Sequence, residues 1–557
     1  MIMSLACLVG CFGGGKTEDK PADDSSNTPA DETPLAKGWW DKITYDSQSL
    51  IFQMTNSSNG QELPSGCERY LAGTTSDTQA VDTLVKERNK NAYQYTKVNV
   101  SYKYYPENDK AYHFSEARNQ IINTIDTASE DNCPDMFCNW MTDMLLVSLK
   151  GKFANLMTTD EAKYGKNHFN INIDENAEGN KEGYMSDLMR SLTLKPGQVY
   201  VIASDYFIDL IRAFFVVPVN VTLFNNLVKE NPTLLTDLNN DNTVDINDFF
   251  VQVENRDWTY DTLIDYSSAI YKGGVNGEDH DSVLGFALGK NGLPAAGMIY
   301  TSSAVVINRE LKDGVDTFTY PDTNEQLATV ISKISAMMKV DGIMCMDKAD
   351  AAALGLDGVE QTALLGIRQK FTKNTLLFGG VILVGSLEYK EYQNMKTSGG
   401  FGVVPVPMDA KTNLKGEDNH YLTQIHVVGR AGGVTARKTA KFEACSAFLH
   451  YQTTNSSKVL EHYYKYNLTY GTASGVTGNI KMLTYIRNNV RTSFDKLFED
   501  AIGFFYDNGI NEADRYHTKL ADSYYEFNDF STVYKNTLPT KKANLASLAD
   551  EYAKLPK

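Results

Sequence analysis

Two hydrophobic patterns alternate along the chain. In 375–407 an apolar run over 376–384 is broken by Gly379 and Gly380, and a polar-faced helical stretch follows over 387–396. The turn signal Gly399-Gly400 then leads into Phe401-Gly-Val-Val-Pro-Val-Pro, a strand that two prolines bring to a stop. Glycine-bounded runs of this length suit buried strands, and strand–helix–strand succession predicts an α/β unit. Helical spacing is clear elsewhere. Val81, Leu84 and Val85 start a helix that leads to a strand at 98–102, and 114–129 reads as a second helix. Leu327, Val330, Ile331, Ile334, Met337 and Met338 fall on one face of a long helix over 323–340. Thr259, before Thr262 and Leu263, is placed as a helix N-cap.

Length and charge narrow the field. A chain of 557 residues predicts at least two domains with ample core. A net charge of -17 argues against a nucleic-acid partner, which needs clustered Lys and Arg, and against a basic membrane-surface patch. The 32 tyrosines are the compositional oddity; aromatic faces stack on sugar rings, and they also fill cores and sheets.

Several segments together resemble the family 1 extracellular solute-binding proteins, the sugar receptors of ABC importers. FGVVPVP at 401–407 is similar to that family's returning strand, and Glu87-Arg88-Asn89 to its first helix. The most specific match is Asp248 to Leu263, DFFVQVENRDWTYDTL, a helix, a turn and a capped second helix. Asn220 stands where the family keeps an Asn, but Val221 replaces the usual Lys. The resemblance covers roughly residues 80 to 500, discontinuously. It implies an α/β, two-lobed, periplasmic-binding-protein-like fold of type II, with discontinuous lobes joined by hinge strands near 203–206 and 424–433. It divides the chain into a first lobe at 38–203, a second at 204–370, a return to the first at 371–426 and C-terminal helices of the second at 427–557. It further implies a monomer that captures a carbohydrate, an oligosaccharide foremost, and delivers it to permease subunits. Such capture requires no catalysis. Trp140, Asp143, Tyr206, Ser386 and Tyr421 are the ligand-contact candidates, placed where loops should meet the cleft. Trp140 reads equally as a sugar-stacking platform or a core Trp under a loop, and Trp258 reads as a core pin.

The start of the chain carries an address. Leu8-Val9-Gly10-Cys11 closes a short apolar segment over 1–11, too short to span a bilayer, and resembles a bacterial lipobox. Cleavage there would leave Cys11 lipid-modified at the outer face of the membrane. Residues 12–37, rich in Gly, Asp, Ser, Thr and Pro, then read as a disordered tether. Residues 10–17 match the P-loop pattern literally, but a P-loop needs a preceding core strand and a following helix. Among the other cysteines, Cys133 and Cys138 suit a local bridge or plain burial better than a metal.

One further motif precedes the best-matching segment. Asp237, Asn239, Asp241, Asp245 and Asp248 occupy positions 1, 3, 5, 9 and 12 of a calcium-type loop, with Thr243 at the backbone-carbonyl position 7. Asn242 replaces the turn glycine and Asp248 the usual bidentate Glu, so a structural Ca²⁺ competes with a plain Asn/Asp turn. Rival functions lack motifs. A polysaccharide-degrading enzyme needs two placed carboxylates, which no sequence pattern marks, and an adhesion lipoprotein predicts repeats that are absent.

Overall fold

The computed structural model describes residues 48–55, 67–73, 80–105, 114–173, 183–193, 195, 197–273, 282–289, 297–302, 304–312, 315–346, 362–409, 421–426, 429–471, 476–492 and 530–555. Cys11, the lipobox, the tether and the P-loop pattern lie outside the described residues. Among the described residues no helix is long and apolar enough to cross a membrane.

The strands are numbered in chain order. They are β1 (Ser49–Thr55), β2 (Asn99–Tyr105), β3 (Met136–Trp140), β4 (Phe215–Asn220), β5 (Leu284–Gly289), β6 (Asn308–Lys312) and β7 (Val315–Thr319). After them come β8 (Ile343–Met346), β9 (Leu376–Phe378), β10 (Ile382–Leu383), β11 (Phe401–Val404), β12 (Thr423–Gln424), β13 (Arg430–Val434) and β14 (Val490–Arg491).

A first sheet has the order β13-β3-β1-β2, with β1 parallel to β2 and β3, and β13 antiparallel to β3. Leu50, Phe52 and Met54 of β1 are buried at alternate positions, as the pleat of a strand requires. A second sheet runs β10-β4-β9-β5-β8, with β11 also on β4. Its β4 and β5 are buried at every position, the mark of a strand covered on both faces. The hairpin β6–β7 and the short pair β12–β14 stand apart.

The run at 376–384 is two strands rather than one. Gly380 adopts φ +74 between them, and a Cβ there would lie 2.5 Å from the Ala287 carbonyl oxygen. Only glycine fits that turn. The predicted helices appear at Phe114–Thr127 and Glu325–Met337. Thr259 caps the helix Tyr260–Ile270 by accepting from the Thr262 N–H.

The division into halves differs from the expected one. Strand β11 pairs antiparallel with β4, Phe401 opposite Asn220 through Val404 opposite Val217, so β9, β10 and β11 of 371–426 belong to the second sheet. Strand β13, expected in the second lobe, pairs with β3 in the first sheet. Apart from Arg430, both strands are apolar or small, and nothing in such a run says which sheet will cover it. The two assignments are therefore exchanged.

Among the described residues before the last helix, the chain passes between the sheets three times. It crosses before β4, again between β11 and β13, and a third time through its helices. The helix Thr439–Thr454 packs on Ala80–Thr96 of the first half, whereas Asn479–Asn488 packs on β11 of the second. Asn479 fixes the last contact, donating to the Phe401 carbonyl and accepting from the Val403 N–H.

Candidate ligand cleft and hinge

The first two passages run side by side. Ile202 bridges Gly432 and Phe214 bridges Ile425, both antiparallel, and the His426 N–H donates to the Ala213 carbonyl at 2.8 Å. Residues 425–432 lie within the 424–433 read as one hinge strand, whereas Ile202 and Phe214 flank the 203–206 read as the other, where Ser204 instead bridges Tyr184. Where the two passages meet, the structure buries a chain of charges. The Asp209 carboxylate accepts from Arg212 at 2.7 Å and from Arg430 at 2.9 Å. Arg212 also donates to Glu388 at 2.8 Å, and Glu388 accepts from the Tyr463 hydroxyl at 2.7 Å. Arg430 belongs to β13 of the first sheet and Glu388 follows β10 of the second, so the chain of charges ties one sheet to the other.

Burial governs the proton affinities here. For Asp209, burial alone would raise the carboxyl, but Arg430 and Arg212 outweigh it and hold the group below the usual carboxylate range. Burial likewise opposes the charge on Arg212, yet Glu388 and Asp209 keep it firmly protonated. Burial and the Glu388 charge push the Tyr463 hydroxyl up. Close by, Asp205 receives two contacts from Arg487, at 2.8 and 2.7 Å, but burial still leaves its carboxyl raised. The motif search passed over these residues. Their signal was present: Asp209 and Arg212 interrupt the apolar run Phe207-Ile-Asp-Leu-Ile-Arg-Ala-Phe-Phe, and a charge pair three apart in such a run must find partners.

The sequence-predicted contacts separate into two groups. Trp140 ends β3, is partly exposed and stands opposite Arg430 in register. The carboxyl end of a strand beside a crossover is where open α/β sheets receive ligands. Ser386, partly exposed, lies in the 3-10 turn Val384–Glu388 that packs against Ile208–Arg212. Asp143 is in the helix that starts after Trp140, fully buried, and accepts from the Asn139 amide at 3.3 Å. Tyr206 and Tyr421 are not surface groups. Tyr206 is sealed between Phe52, Phe207 and Phe448, with the Arg88 guanidinium 4.7 Å above its ring. Tyr421 is buried, and its hydroxyl accepts from the Trp258 N–H at 3.0 Å. Tyrosine serves cores and clefts alike, so their positions in sequence did not separate the uses.

Trp258 is the core pin that its context suggested. It is fully buried, its indole donates to the Pro405 carbonyl at 2.9 Å, and Phe249 and Phe378 pack on it at 5.1 and 4.9 Å. Asn220 is structural as well. It caps the helix Val221–Glu230 and donates to the Phe371 carbonyl and the Asn374 side chain. Cys133 and Cys138 are buried without a bridge between them, and the Cys133 sulfur accepts from Arg437.

The calcium-type loop folds as a closed turn. Asn240 and Asn242 take φ +61 and +66, which Asn tolerates. Asp237 accepts from the N–H groups of Asp241 and Asn242, Asn239 from Asp241, and Asp241 from Thr243. Asp245 caps the next helix, Ile246–Glu254. Position 12 departs from a cation loop. Both oxygens of buried Asp248 accept backbone N–H groups, from Leu238 at 2.7 Å, Asn239 at 3.0 Å and Asp245 at 2.9 Å. Among the described residues no group of three or more His, Cys, Asp or Glu side chains is gathered for a metal. Both carboxylate oxygens of Asp248, at the position where calcium loops place a bidentate carboxylate, are thus engaged by backbone N–H groups here.

No protein-family model and no curated protein sequence matches the chain. Solved structures do. The sugar-binding protein MalE from the phytopathogen Xanthomonas citri aligns with a TM-score of 0.51 at 9% identity, over 91% of this chain and 100% of that one. A family 1 extracellular solute-binding protein from Bifidobacterium longum subsp. infantis aligns at 0.43 and 13% identity, over 91% and 100%. The galacto-N-biose-/lacto-N-biose I-binding protein of an ABC transporter from Bifidobacterium longum aligns at 0.46 and 10%, over 90% and 98%. Two mixed sheets, three passages between them and a full-length match to MalE lead to one conclusion: the chain has the α/β fold of the periplasmic-binding-protein-like solute-binding proteins.

Proposed function

We propose that this protein is an extracellular receptor that captures a carbohydrate between its two halves and hands it to the permease of an ABC importer. The observation that carries the reading is the fold itself, 91% of the chain aligning with the whole of the sugar-binding protein MalE. Paired hinge strands support it, because binding by closure needs two bodies that turn about short connections. Trp140, partly exposed at the carboxyl end of β3, is the stacking platform in this reading, and Ser386, partly exposed in the turn after β10, is a hydrogen-bonding group from the other half. Lipid attachment at Cys11 would hold the receptor at the outer membrane face beside its permease. No reaction is asked of the site.

Thermal unfolding against a panel of mono- and oligosaccharides tests the proposal. A sugar present at a hundred times its Kd is expected to stabilise the protein by about 2.7 kcal/mol. Absence of any shift across a broad panel would sink the carbohydrate assignment. Trp140→Ala is expected to abolish the shift while leaving the unliganded transition nearly unchanged.

The 237–248 loop takes a structural role in this reading. Asp248→Ala leaves three backbone N–H groups without their acceptor, and the expected loss is about 1–3 kcal/mol. Calcium titration separates the alternatives: a self-closed turn gives the same unfolding curve with the ion and with chelator. A calcium-dependent rise of several degrees would mean that Asp248 exchanges its N–H partners for the ion.

A further inference from the structure

The last helix, Phe530–Ala553, has a length and a pattern that the receptor reading does not use. Its buried positions are Tyr534, Leu538, Lys541, Leu545, Leu548 and Tyr552, spaced four, three, four, three and four. That is one continuous stripe along a helix face. From Tyr534 to Tyr552 the stripe spans about 27 Å at 1.5 Å per residue.

Its two ends hold different halves of the molecule. At the start, the Tyr534 hydroxyl donates to the Pro321 carbonyl at 2.8 Å, and Lys542 pairs with Asp322 at 2.5 Å. Pro321 and Asp322 join β7 to the helix Glu325–Met337, which feeds β8 of the second sheet. At the far end, the Tyr552 hydroxyl donates to the Gln198 carbonyl at 3.1 Å, its ring meets Tyr200 edge-on at 6.1 Å, and Glu551 pairs with Lys150 at 3.1 Å. Lys150 ends the helix after β3, and 198–200 lead to Ile202, which pairs with β13 of the first sheet.

From this we infer that the C-terminal helix is a clasp across the two halves, which restrains their hinge motion and releases first at its Tyr534 end. Each anchor joins a buried tyrosine hydroxyl to an ion pair in water, where such pairs contribute little, so the difference between the two ends lies at Pro539. Pro539 lies beside the Tyr534 anchor and removes one N–H from the helix ladder, so the first turns can part from the rest. The inference depends on the two-sheet fold and not on which solute the cleft takes.

Hydrogen exchange on the unmodified chain gives the first reading. Amides of 530–542 are expected to exchange at least about tenfold faster than those of 545–553, as local opening from one end requires. Small-angle scattering of the full chain gives the second. Tyr534→Ala with Lys542→Gln is expected to extend the distance distribution to longer separations, and Tyr534→Phe with Lys542→Gln to do so more weakly. Uniform protection along the helix would overturn the inference. So would a folded double variant whose scattering matches the parent, since a helix that merely fills space would lower the unfolding temperature without changing the separation of the halves.

Discussion

Replacing Arg212 with Met is expected to destabilise the protein by about 3–5 kcal/mol, measured by denaturant unfolding at neutral pH. The loss follows from what remains behind. Arg212 donates to both Asp209 and Glu388, and the side chains of all three are largely withdrawn from water. Met fills a similar volume but leaves Asp209 with Arg430 alone and Glu388 with hydroxyl donors only. The sign of the pH dependence follows as well. Asp209 has a depressed pKa in the folded state, so its contribution is complete above the ordinary carboxylate value of about 3.9 and is lost as pH falls through the lower folded value. The gap in stability between parent and Arg212→Met is therefore expected to narrow below that window. Asp205 runs the other way: its raised pKa makes its contribution largest in acid and lost as pH rises through the folded value. A gap that stayed constant into strong acid would show that Arg212 acts through packing rather than charge.

Trp258→Ala is the second large effect, expected at about 3–5 kcal/mol. The indole is the meeting point of Phe249 from one helix and Phe378 from β9, and its N–H satisfies the Pro405 carbonyl just beyond β11. Truncation opens a cavity among all three and leaves a buried carbonyl without its donor. Trp258→Phe separates the two parts, because it keeps most of the ring and loses the hydrogen bond, at about 0.5–1.5 kcal/mol. Both variants should leave sugar affinity nearly intact once folded, because Trp258 is sealed in the core. A large loss of affinity in folded Trp258→Phe would contradict that placement.

Much of the architecture is legible in the sequence. The Thr259 cap and the helices at Phe114–Thr127 and Glu325–Met337 follow from local rules, and the core role of Trp258 from its context. Local rules fail where long-range pairing decides. β11 and β13 are both apolar enough for either sheet, and only their partners, β4 and β3, settle which one takes them. The site suffered from the same limit. Tyr206 and Tyr421 were placed in the cleft on their position in the chain, yet each is enclosed by residues far away in sequence, Arg88 and Phe448 for one and Trp258 for the other. The buried charges were missed because motif reading looks for chemistry. Asp209, Arg212, Glu388 and Arg430 instead hold two sheets together.

The receptor reading is tested most directly by following the sugar rather than the protein. The full chain is incubated with a mixture of oligosaccharides, and the retained and free fractions are analysed separately. The account predicts that one sugar class is retained, at one molecule per chain, and is recovered unaltered on denaturing the protein. Failure to retain any carbohydrate, or recovery of shortened or rearranged products, would contradict it.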